Sequence, residues 1–329
     1  MEEHSVMTST TPETTADAAG DDSTYGELRA ELATLTTEAF RPELAEIDRL
    51  STLEIAATMN GEDASVPAAV ADRLPQIAAA IDGTAERMAR GGRLIYAGAG
   101  TAGRLGVLDA SECPPTFNTD PSEVVGLIAG GPSAMVTAVE GAEDSKELAR
   151  EDLDNLQLTA DDIVVGISAS GRTPYAIGAV EHARAKGALT VGLSCNADSA
   201  LAAAAEHGIE VVVGPELLTG STRLKAGTAQ KLVLNMLSTI TMIRLGKTYG
   251  NLMVDVRASN EKLRARSRRI VALATDASDE AIEAALTGAD GEVKTAILMI
   301  LADIDAATAN RLLTGSHGHL RAALASAAN

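Results

Sequence analysis

The stretch RLIYAGAGTAGRLG, residues 93–106, decides the fold of this chain. After its first arginine comes a short apolar run of the kind found in buried β-strands. Gly98, Gly100 and Gly103 then follow with the spacing G-x-G-x-x-G, which is typical of a turn that joins a strand to a helix and binds a dinucleotide. The segment predicts a strand, a glycine-rich turn and a helix, and it makes a dinucleotide site the first hypothesis.

Composition excludes several classes of protein. The chain has 329 residues, of which 46% are hydrophobic, enough to build a full core. Aromatic residues make up only 2%, so platforms for stacking nucleic-acid bases are nearly absent. The 46 acidic and 27 basic residues give a formal charge of −19, which repels phosphate backbones. We therefore expect a globular protein that has no nucleic-acid partner.

The chain also lacks the marks of a secreted or membrane protein. Two cysteines, Cys113 and Cys195, cannot make a disulfide framework, and no apolar run reaches the roughly 18 residues that span a membrane. The acidic, Thr-rich start has neither the basic residues nor the apolar segment of a signal peptide. We expect a cytoplasmic protein without a membrane partner, whose residues 1–26 form a disordered acidic tail.

Hydrophobic periodicity predicts an α/β architecture. Apolar residues recur at helical spacing from about residue 27 to residue 89. Five short β-type runs follow, separated by segments of helical length: 93–97, 124–129, 163–168, 189–194 and 209–214. Several of these runs are continuously apolar, which suits strands covered on both faces. The sequence thus predicts a doubly wound five-stranded parallel sheet with a helical N-terminal prefix.

The remainder of the chain is predicted to be helical. One long helical segment is expected from Ser221 to about Ala274, and it would complete a main domain that spans residues 27–274. Residues 275–329 are expected to form a small helical C-terminal subdomain, in which Ser278 is the N-cap of the first helix.

A second loop repeats the glycine-rich motif. GISASGR, residues 166–172, aligns with GAGTAGR, residues 98–104, and both loops follow a strand and open a helix. The second loop adds three hydroxyls around a turn that ends in an apparent N-cap and N1 proline, namely those of Ser168, Ser170 and Thr173. Backbone N–H groups, the positive end of the helix and these hydroxyls would together cradle a phosphate monoester. The alternative is simple capping of a helix, for which one hydroxyl is enough.

The dinucleotide hypothesis weakens at the second strand. A dinucleotide site needs an acidic residue at the end of that strand to hold the ribose hydroxyls. Here the strand is followed by AGGPS, while Asp120 and Glu123 precede it and would lie at the wrong end of the sheet. The pattern therefore favours a sugar phosphate over NAD as the ligand of the glycine loops.

Six segments support a family resemblance: GRLIYAGAGTAGRLGVLDASECPPTF, VEGAED, GISASGRTPY, GLSCN, TGSTRLKAGTAQKLVLNMLST and GNLMVDVRASNEKL. Together they closely resemble the N-acetylmuramic acid 6-phosphate etherases, a family with the sugar isomerase (SIS) fold, over about residues 45–320. The resemblance implies a cytoplasmic lyase of cell-wall recycling that releases D-lactate and N-acetylglucosamine 6-phosphate. It also implies a homodimer with active sites near the subunit interface, and no cofactor.

The loops and the resemblance together predict the substrate-binding residues, which are Gly100, Thr101, Gly103, Arg104, Ser168, Ser170, Gly171, Thr173 and Lys225. Lys225 and its neighbour Arg223 could reach a phosphate or a lactate carboxylate, or they could be ordinary solvated charges at the start of a helix. The chain departs from the family at Ala102, where members often carry serine. One hydroxyl toward the substrate would then be absent from the first loop.

Two glutamates are the candidate catalytic groups. The ether oxygen on carbon 3 lies β to the aldehyde of the open-chain sugar, so elimination needs a base at carbon 2 and an acid at the leaving oxygen. Pro114 and Pro115 are expected to end the first-loop helix just after Glu112, which suits a carboxyl that is kept protonated. By resemblance, Glu112 protonates the departing lactate and Glu143 takes the proton from carbon 2. Residues 140–154 could also be only a solvated acidic helix.

Other candidate sites are weaker. Cys113 has no nearby histidine in the sequence and suits a small buried position better than a nucleophile. His317 and His319 lack further ligands, so no metal is expected. Two other functions stay open: a regulatory sugar-phosphate sensor like the glucokinase regulatory protein, which carries two tandem copies of this domain, and an aldose-ketose phosphate isomerase.

Overall fold

The computed structural model describes residues 26, 30, 32, 34–256 and 261–328. The predicted acidic tail lies outside the described residues except for Gly26. The N-terminal prefix is helical, as predicted. From residue 34 onward its elements are the 3-10 turns Thr36–Glu38, Pro42–Leu44 and Ile47–Arg49, and the helices α1 (Thr52–Asp63), α2 (Val66–Ala71) and α3 (Leu74–Met88). Ser51 starts α1 with a capping box, because it accepts from the N–H of Glu54 while the Glu54 carboxylate accepts from the N–H of Ser51.

A five-stranded parallel sheet forms the centre of the protein and confirms the predicted fold class. Its strands are β1 (Leu94–Gly98), β2 (Val124–Ile128), β3 (Ile163–Ile167), β4 (Leu189–Ser194) and β5 (His207–Glu210). Their order across the sheet is β2-β1-β3-β4-β5. The fifth strand starts two residues before the predicted run and ends at Glu210, so residues 211–214 lie beyond it.

Helices cover both faces of this sheet. They are α4 (Gly100–Phe117), α5 (Lys146–Asn155), α6 (Pro174–Ala185), α7 (Ala200–Ala204) and α8 (Lys225–Arg244). Leu94 and Tyr96 of β1 pack on one side in a cluster with residues of α3, α4 and α8. Ile95 and Ala97 point to the other side, where they pack with residues of α5 and α6. This alternation explains why the strand is apolar throughout, since every residue of it is buried.

The order of the strands creates a topological switch point between β1 and β3. From β1 the chain moves outward to β2 and then returns to β3 on the other side, so the connections leave β1 and β3 in opposite directions. Such a switch point opens a crevice at the carboxyl ends of the two strands. Gly98 and Ile167, the last residues of β1 and β3, are partners in register, and the two predicted loops start directly after them.

Two sequence expectations about helices are wrong. The helix α4 does not end before Pro114 and Pro115 but includes both. Its last turn holds because Phe117 is buried in the core and the N–H of Asn118 donates to the Pro114 carbonyl at 3.0 Å. Asn118, with a φ of 51°, then ends the helix in the left-handed conformation.

The long helical segment expected over residues 221–274 is interrupted. α8 ends at Arg244, and β6 (Thr248–Tyr249) and β7 (Leu252–Met253) form an antiparallel hairpin before α9 (Glu261–Thr275). Gly246 and Gly250, with φ values of 74° and 58°, provide the left-handed turns that stop the helix and close the hairpin.

The C-terminal part is a helical unit with its own core. Its further helices are α10 (Asp279–Gly288), α11 (Val293–Ala302), α12 (Ala306–Gly315) and α13 (Leu320–Ala327). The Ser278 hydroxyl accepts from the N–H of Ala281 at 3.3 Å, so the predicted N-cap is confirmed. The apolar cluster of this unit extends from Val254 to Ala323 and therefore includes α9. Within the described part of the chain, no helix is both long and apolar enough to cross a membrane.

Candidate functional site

The first glycine loop brings a helix N-terminus close to the end of β1. Gly100 has a φ of 52°, a left-handed conformation that glycine adopts without strain, and it starts α4. Gly103 is buried against the preceding strand, because a Cβ at this position would lie 2.6 Å from the Gly98 carbonyl oxygen and 2.7 Å from Ile128 Cγ1. Gly103 therefore permits the close approach of helix and strand rather than facing a ligand.

The second loop is organised by the buried hydroxyl of Ser168. Its Oγ accepts from the N–H of Gly171 at 3.0 Å and lies 2.8 Å from Thr173 Oγ1 and 3.2 Å from Ser170 Oγ. Thr173 occupies the N-cap position of α6 and Pro174 follows at N1, as predicted. The Thr173 hydroxyl does not cap the helix, however, because it forms a hydrogen bond with the Ser168 hydroxyl instead. Three hydroxyls thus converge beside the N-terminus of α6.

A cavity of about 410 Å³ lies between the two loops. Its volume is in the range of pockets that bind small molecules. Six of the predicted site residues line it: Gly100, Thr101, Glu143, Ser168, Ser170 and Thr173. The structure therefore brings together both loops and one candidate catalytic carboxylate. Glu143 belongs to the 3-10 turn Ala142–Asp144, ahead of α5, and so is not part of a solvated acidic helix.

Three predicted residues support this cavity without lining it. Gly103 of the first loop packs against Gly98 and Ile128, and Gly171 of the second loop, with a φ of 70°, packs against Ser199. Arg104 is directed to the chain after β2, where its guanidinium donates to the carbonyls of Ala134 at 2.8 Å and Met135 at 3.0 Å. It lines an adjoining cavity of about 150 Å³, which shares Ala99, Gly100 and Glu143 with the larger one.

Lys225 does not reach the cavity, in contrast to the expectation from the sequence. Its side chain is buried, and its Nζ lies 2.8 Å from a carboxylate oxygen of Glu62 in α1. Arg41 pairs with the same carboxylate at 2.7 Å. Hydrogen bonds from Arg41 and Lys225 lower the pKa of Glu62 and keep its carboxylate charged. Lys225 therefore connects the N-terminal prefix to α8, because a buried ammonium needs this partner.

Glu112 is far from the cavity of its own chain. It lies twelve residues after Gly100 on α4, a distance of about 18 Å at 1.5 Å per residue. It is exposed and lines neither of the two cavities. Within one chain, then, the structure does not bring the two candidate catalytic glutamates together.

Several lining residues were missed by the sequence analysis. Leu35 and Glu38 come from the N-terminal prefix, and Thr222 and Gln230 come from the loop before α8 and from α8 itself. Thr222 and Gln230 lie within TGSTRLKAGTAQKL, part of a segment that carries the family resemblance, so the sequence contained a signal for these two residues. The prefix gave no such signal, because it reaches the site through a long-range contact of Thr37 Oγ1 with the Asn196 amide at 3.1 Å.

The cysteines and histidines that the structure describes do not line this cavity. Burial raises the pKa of the Cys113 thiol to about 12, and the thiol is directed to the Asp109 carbonyl at 3.4 Å. Cys113 is thus the small buried residue that the sequence suggested. Over the described ranges, no group of three or more His, Cys, Asp or Glu side chains is arranged to hold a metal ion.

Comparison with known proteins finds two matching domain families and similar solved structures. Residues 139–240 match the SIS domain, and residues 76–184 match the glucokinase regulatory protein N-terminal SIS domain. Among solved structures, a phosphoheptose isomerase from Neisseria gonorrhoeae aligns with a TM-score of 0.46 and 16% identity over 58% of this chain and 98% of that chain.

Curated relatives are far more similar. The N-acetylmuramic acid 6-phosphate etherase of Streptomyces avermitilis is 85% identical over 91% of this chain and 96% of that protein. The protein of the same name from Streptomyces coelicolor is 82% identical over 92% of this chain and 97% of its own length. The one from Mycolicibacterium smegmatis is 56% identical over 89% and 99%, respectively. With this identity along nearly the whole length, the chain belongs to the N-acetylmuramic acid 6-phosphate etherase family.

Proposed function

We propose that this protein is a lyase that cleaves the lactyl ether of N-acetylmuramic acid 6-phosphate, giving N-acetylglucosamine 6-phosphate and D-lactate in the recycling of peptidoglycan amino sugars. The observation that carries the proposal is the cavity at the switch point, where Glu143 shares one lining with two loops suited to a phosphate. Membership in the etherase family supports the same reaction. We place the reaction in the cytoplasm.

The phosphate is held by the second loop. Ser168, Ser170 and Thr173 offer hydroxyls, and the N-terminus of α6 adds backbone N–H groups and the positive end of the helix dipole. Gly100 and Thr101 present a second helix N-terminus to the same cavity. A dianionic ligand gains charge-assisted hydrogen bonds from such groups, each worth about 1.5–3 kcal/mol.

Glu143 is the base of the elimination. In the open-chain sugar its carboxylate takes the proton from carbon 2, and the electron pair of that C–H bond forms a double bond to carbon 3. The carbon 3–oxygen bond breaks, and its electron pair leaves with the lactate oxygen, which an acid protonates. Water then adds its oxygen to carbon 3 while a proton returns to carbon 2. Two carboxyl groups that exchange protons can perform both halves, so the reaction itself requires no cofactor.

Glu112 of the partner subunit is the acid in this proposal. The roughly 18 Å along α4 prevents Glu112 from serving the cavity of its own chain. Leu108, Glu112 and Pro115 lie at helical spacing on an exposed face of α4, which is open to a second subunit. A homodimer in which this face approaches the cavity of the other chain would complete both active sites.

Release of lactate tests the function directly. Purified protein is incubated with N-acetylmuramic acid 6-phosphate, and free D-lactate is measured, with the unphosphorylated sugar as the control. We expect lactate from the phosphorylated sugar and very little from the control. A sugar-phosphate sensor or an aldose-ketose isomerase would release none, and equal turnover of both sugars would contradict the phosphate site.

A further inference from the structure

Gln230 presents a buried polar group to the cavity. It lies in the second turn of α8, and the residue is only 1% exposed. It lines the cavity together with the two loops. Its amide nitrogen is buried, and no protein atom within the described ranges accepts a hydrogen bond from it.

An unsatisfied buried amide is costly. Such a group without a partner costs about 1–3 kcal/mol, and native proteins keep few of them. The cavity lining includes apolar side chains, those of Leu35, Ala102 and Ala169, which cannot accept a hydrogen bond. The Ala169 carbonyl is already occupied by the N–H of Cys195 and the amide of Asn196, each at 3.0 Å. The N–H groups of Gln230 are thus available to a ligand.

We propose that Gln230 binds the substrate, with its amide N–H donating to a carbonyl oxygen of the amino sugar; this inference rests on the proposed function. The phosphate has its own donors in the second loop, and Glu143 and Asp144 repel a further anion on their side of the cavity. A neutral buried donor best suits a neutral acceptor, since a buried charge would need a counter-charge. The substrate offers two such acceptors: the acetamido carbonyl and the aldehyde oxygen of the open chain.

Gln230→Met is the test variant. Methionine is also unbranched, has a similar helix propensity and removes both N–H donors. Thr241→Val is the matched control, because the Thr241 hydroxyl in the same helix is also buried without a partner in the described structure but does not line the cavity. Dissociation constants for N-acetylglucosamine 6-phosphate are measured by calorimetry, and melting temperatures are measured without ligand.

We expect Gln230→Met to weaken binding of N-acetylglucosamine 6-phosphate about three- to tenfold, the effect of one neutral hydrogen bond. Gln230→Glu should weaken it further, because a carboxylate cannot donate and adds negative charge. The melting temperature of the ligand-free Met variant should be unchanged or higher, because an unsatisfied group has been removed. Thr241→Val should bind as the wild type does.

Two ligand analogues identify the acceptor. Glucosamine 6-phosphate lacks the acetamido carbonyl, and N-acetylglucosaminitol 6-phosphate lacks the aldehyde. An analogue that lacks the oxygen contacted by Gln230 should bind the wild type and Gln230→Met equally well, so that result identifies the oxygen. If the Met variant binds N-acetylglucosamine 6-phosphate as tightly as the wild type, the inference is wrong. If the wild type itself does not bind this sugar, the proposed function fails first, so the two failures are distinguishable.

Discussion

Because Glu112 does not reach the cavity of its own chain, two variants that are each inactive alone should complement each other in a mixed dimer. Glu112→Gln and Glu143→Gln should each lower turnover at least a hundredfold, because glutamine keeps the shape of the side chain but cannot exchange the proton. Glu112 lies about 18 Å along α4 from Gly100, which lines the cavity together with Glu143, at a helix rise of about 1.5 Å per residue. Each active site would then take one glutamate from each subunit.

Mixing the two variants should therefore restore activity. Random reassociation makes half of the dimers mixed, and each mixed dimer has one intact site out of two, so about a quarter of wild-type turnover returns. The mixture is prepared by co-expression with two different affinity tags or by mild unfolding and refolding, and lactate release is measured. Dimers that are purified through both tags should have about half of wild-type turnover.

Glu147→Gln is the matched control, because Glu147 is an exposed carboxylate in the first turn of α5 that lines neither cavity. It should keep full activity by itself. Mixed dimers that remain as inactive as the parent variants would refute the assignment of Glu112 to the partner subunit. Full activity of Glu112→Gln alone would remove it from the mechanism.

Two further predictions concern stability. Gly171→Ala should destabilise the protein by about 2–5 kcal/mol in urea unfolding, because a Cβ at a φ of 70° would lie 2.4 Å from Ser199 Cβ. The control is Gly187→Ala, at a φ of 83° with the nearest atom 3.4 Å from the added Cβ, which should cost only the left-handed penalty of about 1–2 kcal/mol. Equal costs for the two variants would refute the clash at Gly171. Burial alone would raise the pKa of Asp162, but hydrogen bonds from the Arg93 guanidinium and from backbone N–H groups outweigh it and lower the pKa. Asp162 therefore stabilises the fold above its unfolded pKa of about 3.9, and this contribution disappears as the pH falls through the lower folded value. Asp162→Asn should cost about 1–3 kcal/mol near neutral pH, and a cost that does not shrink in acid would contradict the ion pair.

The sheet and the two loops were predictable because their signals are local. Buried parallel strands are short apolar runs, and a glycine loop can be recognised from its own residues, as GAGTAGR and GISASGR show. Both loops follow adjacent strands and line one cavity, which their alignment in the sequence does not by itself reveal.

The wrong or missing predictions concern residues whose positions are determined by tertiary contacts. Pro114 and Pro115 signal the end of a helix, yet the buried Phe117 carries α4 past them. Lys225 has the charge of a phosphate ligand, but its contact with Glu62 joins residues that are 163 positions apart. Gln230 was overlooked for the same reason, since only the packed structure shows that its amide is both buried and unsatisfied.

The origin of the hydrogen on carbon 2 and of the oxygen on carbon 3 tests the proposed reaction most directly. N-acetylmuramic acid 6-phosphate is converted by the wild-type protein in heavy water and, separately, in water labelled with oxygen-18, and both products are analysed by NMR and mass spectrometry. Elimination followed by hydration predicts deuterium at carbon 2 and oxygen-18 at carbon 3 of N-acetylglucosamine 6-phosphate, with no oxygen-18 in the lactate. Cleavage that leaves carbon 2 without deuterium, or that places the labelled oxygen in the lactate, would contradict removal of the carbon 2 proton by Glu143.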